Sequence, residues 1–282
     1  MKVRALWMFA AGAFLRMAAG CGGDATTPDA GGTPSNEDGG TSADGSTADA
    51  HRASEGGAPS DDGEPLDCNS GGVIVCDGFD VPAIDPARWE EEKQNGAVSV
   101  DDSRAFRGGR ALHVTIDAGG GRAMLRAKQH ATVTGQKVWG RSHMFVPASA
   151  AASLTSHSNV VAFGGKNSRG ATAVHAVAIG ASAFFGLYFQ DEPMIDESSF
   201  MLHPDVPTTK VPLDRWFCLE WELDGIAKAF RLYLDGDLIP SSVIEGRDPP
   251  AEADVIVGAE FDLAEAWLDE VVVAKRRAGC LR

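Results

Sequence analysis

From position 73 onward, apolar and polar residues alternate in short runs with a period of two, and the apolar members are mostly Val, Phe, Trp, Leu and Ala. That period sends successive side chains to opposite faces of an extended strand. Runs at 73–79, 97–101, 111–117, 123–131, 137–146, 157–163, 173–180, 184–190, 216–224, 230–235, 254–258 and 266–274 predict strands. Turn residues separate them, among them Gly108-Gly109, Gly119-Gly120-Gly121, Gly164-Gly165, Asp224-Gly225, Asp235-Gly236 and Pro249-Pro250. Only 148–154 reads as helical, and it is short. About a dozen strands with no helices between them predict an all-β fold, an antiparallel two-sheet jelly-roll sandwich. No repeat of fixed period argues for a propeller or a solenoid.

The alternation also assigns faces. In 216–224, Phe217, Leu219, Trp221 and Leu223 share the side that must face the core. Trp216, Cys218, Glu220, Glu222 and Asp224 share the other. In 230–235, Phe230, Leu232 and Leu234 point inward, and Arg231, Tyr233 and Asp235 outward. The short connection carrying Asp224-Gly225 makes the two runs a hairpin. Its outer face then brings Glu220 or Glu222 beside Arg231 and Tyr233.

The stretch WFCLEWELDGIAKAFRLYLDGDLI resembles the late strand pair of concanavalin A-like jelly rolls, the group that holds laminin-G, lectin, glucanase and polysaccharide-lyase domains. Three other segments are similar to the same pattern. CDGFD with Trp89 resembles the first strand and its following aromatic, AFRGGRALHVTID the strand that opens Gly then Ala-Leu, and AWLDEVVVAKR the closing strand. Together they span most of 67–282, and they carry fold information more than chemistry. Exported bacterial lipoproteins with a lipid, a tether and a jelly roll in that order are similar to the whole chain.

Five cysteines occur, at 21, 68, 76, 218 and 280. Setting Cys21 aside, four remain, an even number that suits two disulfides in an exported chain. Cys68–Cys76 with Cys218–Cys280 would clip the start of the domain to its first strand and fasten the C-terminal tail. Cys76–Cys280 with Cys68–Cys218 is the other pairing weighed, because the resemblance puts the first and last strands side by side. No pair has close zinc-ligand spacing.

The resemblance implies three kinds of chemistry to look for. A retaining glucanase needs two close carboxylates, in a Glu-x-Asp-x-x-Glu motif that this sequence lacks. Glu220 and Glu222 share a face, but the next residue on it is Asp224 in a turn, so they read as a solvated strand face paired with Arg231. A lyase needs a Tyr or His base and a neutralising Arg, Gln or Asn. Outward candidates are His113, Arg141, His143, His175, Tyr188, Gln190, Arg231 and Tyr233. His175, Tyr188, Gln190, Arg231 and Tyr233 are the catalytic set a lyase would use, although the Arg-x-Glu and Tyr-x-Lys-x-Gly-x-Tyr patterns of such lyases are absent. A binding module needs only an aromatic platform and hydrogen-bonding groups. Trp139, Arg141, His143, Tyr188, Glu220, Glu222, Arg231 and Tyr233 are its candidates. Arg141 and His143 share a side with Trp139, so that strand has either a polar outer face or the opposite register. The resemblance also implies a structural Ca2+ held near the first and last strands, where Asp80 and Asp269 stand.

The chain carries a formal charge of −15. An acidic chain without a basic run excludes nucleic acid as a partner. No phosphate loop, dinucleotide fingerprint, zinc-protease helix or nucleophile elbow occurs. The expected role is non-catalytic binding of carbohydrate or another surface polymer. A glycan-cleaving enzyme, a lyase before a glycoside hydrolase, is the second expectation, and a protein-binding adhesion or scaffold module the third.

The first 66 residues lack the strand pattern. Lys2 and Arg4 precede an apolar run at 5–15, and Ala18-Ala19-Gly20 precede Cys21. The run is about half the length of a membrane-spanning helix and reads as a signal peptide, 1–21, whose Cys21 is lipidated after cleavage. Arg16 and the Ala at position 18 depart from the usual lipoprotein pattern, and an ordinary secretory signal cut within 18–21 is the alternative. Residues 22–66 hold ten acids against one cation, Arg52, and no aromatic. Such a segment cannot bury enough apolar surface to offset its ordering entropy and reads as a disordered acidic tether, with a mean reach on the order of 40 Å. Residues 67–282 form the jelly-roll domain. Gly22 after the cysteine, where an Asp would signal inner-membrane retention, points to the outer membrane or cell surface.

The lipid is testable directly. In cells fed a labelled fatty acid, the chain should incorporate label and fractionate with membranes, and Cys21→Ser should lose both properties. Label retained in Cys21→Ser would end the lipoprotein expectation.

Overall fold

The computed structural model describes residues 64–191, 198–201 and 210–282. The leader, Cys21 and the tether up to residue 63 lie outside them. In chain order the strands are β1 (Val73–Asp77), β2 (Trp89–Gln94), β3 (Gly96–Asp101), β4 (Ala111–Ile116), β5 (Gly121–Ala127), β6 (Ala131–Thr132), β7 (Lys137–Phe145), β8 (His157–Lys166), β9 (Thr172–Gly180), β10 (Phe184–Asp191), β11 (Ser198–Met201), β12 (Trp216–Asp224), β13 (Ala229–Leu234), β14 (Asp237–Leu238), β15 (Ile244–Glu245), β16 (Glu252–Phe261) and β17 (Glu265–Ala274). The predicted helix is a five-residue turn, α1 (Ala148–Ala152). No helix among the described residues is long and apolar enough to cross a membrane.

Two antiparallel sheets result, so the predicted jelly-roll sandwich is the observed architecture. Sheet A runs β14-β13-β12-β7-β17-β4-β3, with β1 also on β17 and β15 on β13. Sheet B runs β11-β10-β9-β8-β16-β5-β2, with β6 on β16. Along each of these two paths three of the six neighbouring pairs are consecutive in sequence, and the other three join strands far apart in the chain, so the fold depends on long-range pairing as well as on hairpins.

The core lies between the sheets and follows the predicted faces. Phe217, Leu219, Trp221 and Leu223 of β12 and Phe230 and Leu232 of β13 are buried in it, together with Phe163, Phe185, Phe189 and Trp89 from sheet B. Gly140 of β7 sits directly over Trp221 across the register pair Trp221↔Gly140, where the indole fills the space a side chain would take.

Strand β2 was not among the predicted strands. Its sequence, WEEEKQ, is rich in residues of low β propensity, and it survives as an edge strand whose charges deter edge-to-edge pairing. Trp89 anchors it, with its indole N–H donating to buried Asp77 at 2.7 Å.

The outer face of sheet A is closed by the two ends of the domain. Leu66 and Ala278 pack with Val272 and Ala274 of β17, and the Leu66 N–H donates to the Ala278 carbonyl at 2.8 Å. The preferred disulfide pairing is the one present: Cys68–Cys76 and Cys218–Cys280. Two such bonds belong to an oxidising compartment outside the cytosol.

A methyl group at Gly140 would fall 2.2 Å from the Trp221 ring. Gly140→Ala should therefore destabilise the domain by about 1–3 kcal/mol, the usual cost of overpacking. Chemical denaturation measures it, and a smaller ring in Gly140→Ala/Trp221→Leu should recover part of the loss.

Candidate functional site

Seven of the eight predicted binding residues share one surface. Trp139, Arg141 and His143 of β7, Glu220 and Glu222 of β12, and Arg231 and Tyr233 of β13 all lie on the outer face of sheet A, as the pairs Glu220↔Arg141, Glu222↔Trp139, Glu220↔Tyr233 and Glu222↔Arg231 require. The polar outer face of β7 is real, and the reversed register is not. The surface is nevertheless not open. The C-terminal tail crosses it, and the polar groups hold the tail.

Arg141 is 0% exposed. Its guanidinium donates to the carbonyls of Leu66 at 3.0 Å and Gly279 at 2.7 Å. Glu220, also fully buried, accepts from the Gly279 N–H at 2.8 Å and from Arg277 at 3.0 Å. His143 stacks under Phe106 at 3.8 Å. Burial first, and the Arg141 charge second, push its pKa down to about 3. The expectation of a solvated Glu220/Glu222 face is therefore corrected: a tail that packs as tightly as a core element covers Glu220. Glu222 is buried too, among Lys137 at 2.6 Å, Arg231 at 3.2 Å and the Tyr233 hydroxyl at 3.3 Å.

Tyr233 meets the Trp139 ring at a tilt, with centroids 5.5 Å apart, and lies under Arg277 at 4.6 Å. Burial, then Glu222, push its pKa up to about 12, which disqualifies it as a base near neutrality. His113 is outward as predicted but is held between Asp101 at 2.7 Å and Glu265 at 2.9 Å.

His175 is corrected outright. It pairs with Phe189 and Phe163 across β10 and β8, shares the inward face of β9 with Val177 and Ile179, and meets the Phe189 ring edge-on at 4.8 Å. Neither ring nitrogen has a partner. Desolvation, with Arg247 adding to it, lowers its pKa to about 3. It is a neutral core histidine and touches no surface a substrate could reach.

The outer face of sheet B is built differently. Its β5 residues are Arg122, Met124 and Arg126, opposite Gln94, Glu92 and Glu90 of β2 and Glu260, Gly258 and Ile256 of β16. A salt-bridge lattice covers that side. Glu92 bridges Arg122 at 3.0 Å and Arg126 at 2.5 Å; Glu260 pairs with Arg122, and Asp254 with Arg126 and His130. Asn159 of β8 donates to Glu260 at 3.1 Å.

Beyond the lattice the floor is small. Ala162, Ala176, Met124 and Ile256 form a buried apolar strip against which Tyr188 packs, and Ala178 and Gly186 continue it along the β9–β10 pair. The far wall is aromatic. His157 stacks on Tyr188 at 6.2 Å and meets Phe261 at 4.9 Å.

Bulges make this wall. The register of β16 against β8 shifts between Val257 and Glu260, and Phe261 adopts φ +81°, a left-handed backbone unfavourable for a bulky residue. The result is a 39% exposed phenylalanine turned to His157 and not to the core. Bulges and strained residues of this kind gather at functional sites.

Tyr188 and Gln190 are thus the predicted residues that belong to this face. Arg122, Arg126, Glu92, Asp254, Glu260, His157, Asn159 and Phe261 were not singled out. One signal was available: GRAMLRA alternates Arg-x-Met-x-Arg, which puts both arginines and Met124 on one face.

Chemically, the face offers stacking surfaces and acceptors. Each carboxylate of the lattice is engaged by a guanidinium. Cavities of about 460 and 230 Å³ lie elsewhere, one beside Cys68–Cys76 and Arg88, the other under the tail beside Trp216 and His143. As for calcium, both oxygens of buried Asp269 accept backbone N–H groups, from Phe106, Arg107 and Glu270 at 2.7–3.1 Å. Among the described residues, the three metal-ligating side chains that converge are Cys218, Glu220 and Cys280, and both cysteines are in the disulfide. Among the described residues, no converging trio of His, Cys, Asp or Glu side chains includes Asp80 or Asp269.

No family model matches the chain, and no curated protein matches it. Solved structures do. The "Cellulose induced protein, Cip1" aligns at TM-score 0.55 and 20% identity, over 73% of this chain and 100% of that one. The "GlcNAc[alpha]1-4Gal releasing endo-[beta]-galactosidase from Clostridium perfringens" aligns at TM-score 0.51 and 13% identity, over 74% of this chain and 64% of that one. The fold is a concanavalin A-like jelly roll.

The buried histidines set an acid limit. His175 and His143 take up protons near pH 6.5 when unfolded but only near 3 when folded. Stability should be unaffected above pH 6.5 and fall between 6.5 and 3, by up to about 1.4 kcal/mol per pH unit for each group. Asp269 opposes this, since burial raises its pKa to about 6 and protonation relieves it as pH falls toward 3.8. Urea titrations at pH 7 and 4.5 should show the loss, and His175→Phe should reduce it. An unchanged pH dependence would contradict the inward placement.

Proposed function

We propose that this is an exported, lipid-anchored protein whose jelly roll binds carbohydrate, without cleaving it, across the outer face of sheet B. The observation that carries the reading is the aromatic wall Phe261–His157–Tyr188 beside a floor of alanine and glycine. A sugar ring has an apolar face that stacks on aromatic groups and an edge of hydroxyls that need acceptors. The wall supplies the first, and Glu92, Asp254, Glu260 and Asn159 supply the second. The two structural neighbours bear on carbohydrate by their titles, one cellulose-induced and one an endo-β-galactosidase, which supports the reading at the level of fold.

Binding without cleavage is favoured because two of the lyase bases inferred from sequence are withdrawn, which leaves Tyr188 with Gln190 on the face. His175 is in the core, and Tyr233 is held by Glu222 on the opposite sheet. The three lattice carboxylates, Glu92, Asp254 and Glu260, are each tied to arginine, which does not suit an acid and nucleophile pair. The acidic tether would hold the domain clear of an anionic membrane surface by charge repulsion and length.

A glycan array followed by titration calorimetry tests this. Tyr188→Ala and Phe261→Ala should each weaken binding of the captured glycan roughly tenfold with little change in melting temperature, whereas Trp139→Ala on sheet A should not. Reducing ends or unsaturated uronate released from the bound glycan would favour the enzyme reading instead.

A further inference from the structure

The salt-bridge lattice on sheet B decides what kind of glycan the face takes. All three guanidinium nitrogens of Arg122 are engaged, Nε and Nη2 by Glu260 and Nη1 by Glu92 at 3.0 Å. Arg126 gives Nε and Nη2 to Glu92 and Nη1 to Asp254. Three carboxylates thus meet two arginines, and the lattice carries a formal charge of −1. Glu90 and Glu252 extend the same face with further acid. Among the described residues, Lys166 and Lys210 stand at opposite ends of β8 and β9: Lys166 donates to Thr172 at 2.7 Å, and Lys210 lies 5.7 Å from the Phe184 ring.

The unpartnered atoms point the same way. The Asn159 side chain is 5% exposed; its amide donates to Glu260 and its carbonyl oxygen has no partner. The Gln190 carbonyl oxygen on β10 is also buried without a partner. Both are enclosed acceptors that bring no positive charge to the face, and the part-exposed lattice carboxylates are acceptors at its surface. An acceptor-rich face with no uncommitted guanidinium complements hydroxyl donors, and it repels a carboxylate or sulfate, which brings more acceptors and more negative charge.

We infer that the face selects an uncharged, hydroxyl-rich polysaccharide and rejects polyuronates and sulfated glycans. This rests on the carbohydrate-binding reading above. It also disfavours a uronate lyase that neutralises the sugar carboxylate with arginine, because both lattice guanidiniums are committed to acids.

The test uses the full chain and two probe sets of matched length at low ionic strength: gluco-, xylo- and manno-oligosaccharides, and oligogalacturonate with oligomannuronate. At least one neutral probe should bind at least tenfold more tightly than either uronate, and added salt should change its affinity little. In the double variant Glu92→Gln/Glu260→Gln the lattice becomes +1 and Arg122 is released, so uronate affinity should rise about tenfold. Asp254→Asn, a milder change, should shift it in the same direction and guards against a folding defect in the double variant. Uronate bound as tightly as any neutral probe by the unaltered protein, and weakened by Tyr188→Ala, overturns the selectivity while leaving the glycan site intact. No binding of either set, or binding indifferent to both Tyr188→Ala and Phe261→Ala, sinks the carbohydrate reading and the selectivity with it.

Discussion

A single buried guanidinium holds the architecture to its functional consequence. Arg141 stands on the middle of sheet A with no exposed surface, and its hydrogen bonds reach carbonyls at both ends of the domain, Leu66 and Gly279. An arginine cannot shed its charge when buried, so its desolvation must be offset by acceptors. The carbonyls of Leu66 and Gly279, at the two ends of the folded domain, are the acceptors. Removing the side chain would leave several carbonyls unsatisfied at once, each at about 1–3 kcal/mol. The tail is consequently part of the fold, and Glu220, His143 and the Cys218–Cys280 bond on the same face serve it. A sandwich has four sheet faces, of which two form the core. Arg141 and the tail close the third, and the outer face of sheet B is the fourth.

That division of labour explains which parts of the sequence could be read. The inward residues of β12 and β13 were legible because their apolar and polar positions alternate strictly. The outer residues were legible as a set but not as to their use. Alternation says that Glu220 and Arg141 face away from the core; it cannot say that a tail more than fifty residues downstream will cover them. Strand β9 shows the complementary limit. TAVHAVAIG is apolar at both parities, so its faces have no contrast, and a strand buried on both sides carries no register signal. His175 was assigned outward for want of that contrast.

The candidate site was largely illegible for a third reason. Glu92, Arg122 and Glu260 are separated by up to 168 positions and meet only through the order β2-β5-β16-β8. Strand β2 itself reads as a charged loop until its partners are known. The aromatic wall depends on a bulge and on a left-handed phenylalanine, neither of which has a composition signature. Tyr188 and Gln190, on a strand with clear alternation, were recovered, and the alternation of GRAMLRA could have added Arg122 and Arg126.

A face of this form constrains how the protein can work. The lattice arginines and acids are already paired, so a ligand gains little from them beyond hydroxyl contacts and must take most of its affinity from stacking on three rings. Each ring adds on the order of 0.5–1.5 kcal/mol beyond area burial, set against the cost of ordering a flexible chain. Single contacts of that kind are weak. A repeating polymer offers many equivalent segments, and several copies of such a domain would meet them at high local concentration. Avidity of this sort can exceed single-site affinity by about 10²–10⁴, and it needs no deep cavity in any one domain. A shallow face of this kind suits many reversible contacts along an extended chain better than one tight contact at a single site.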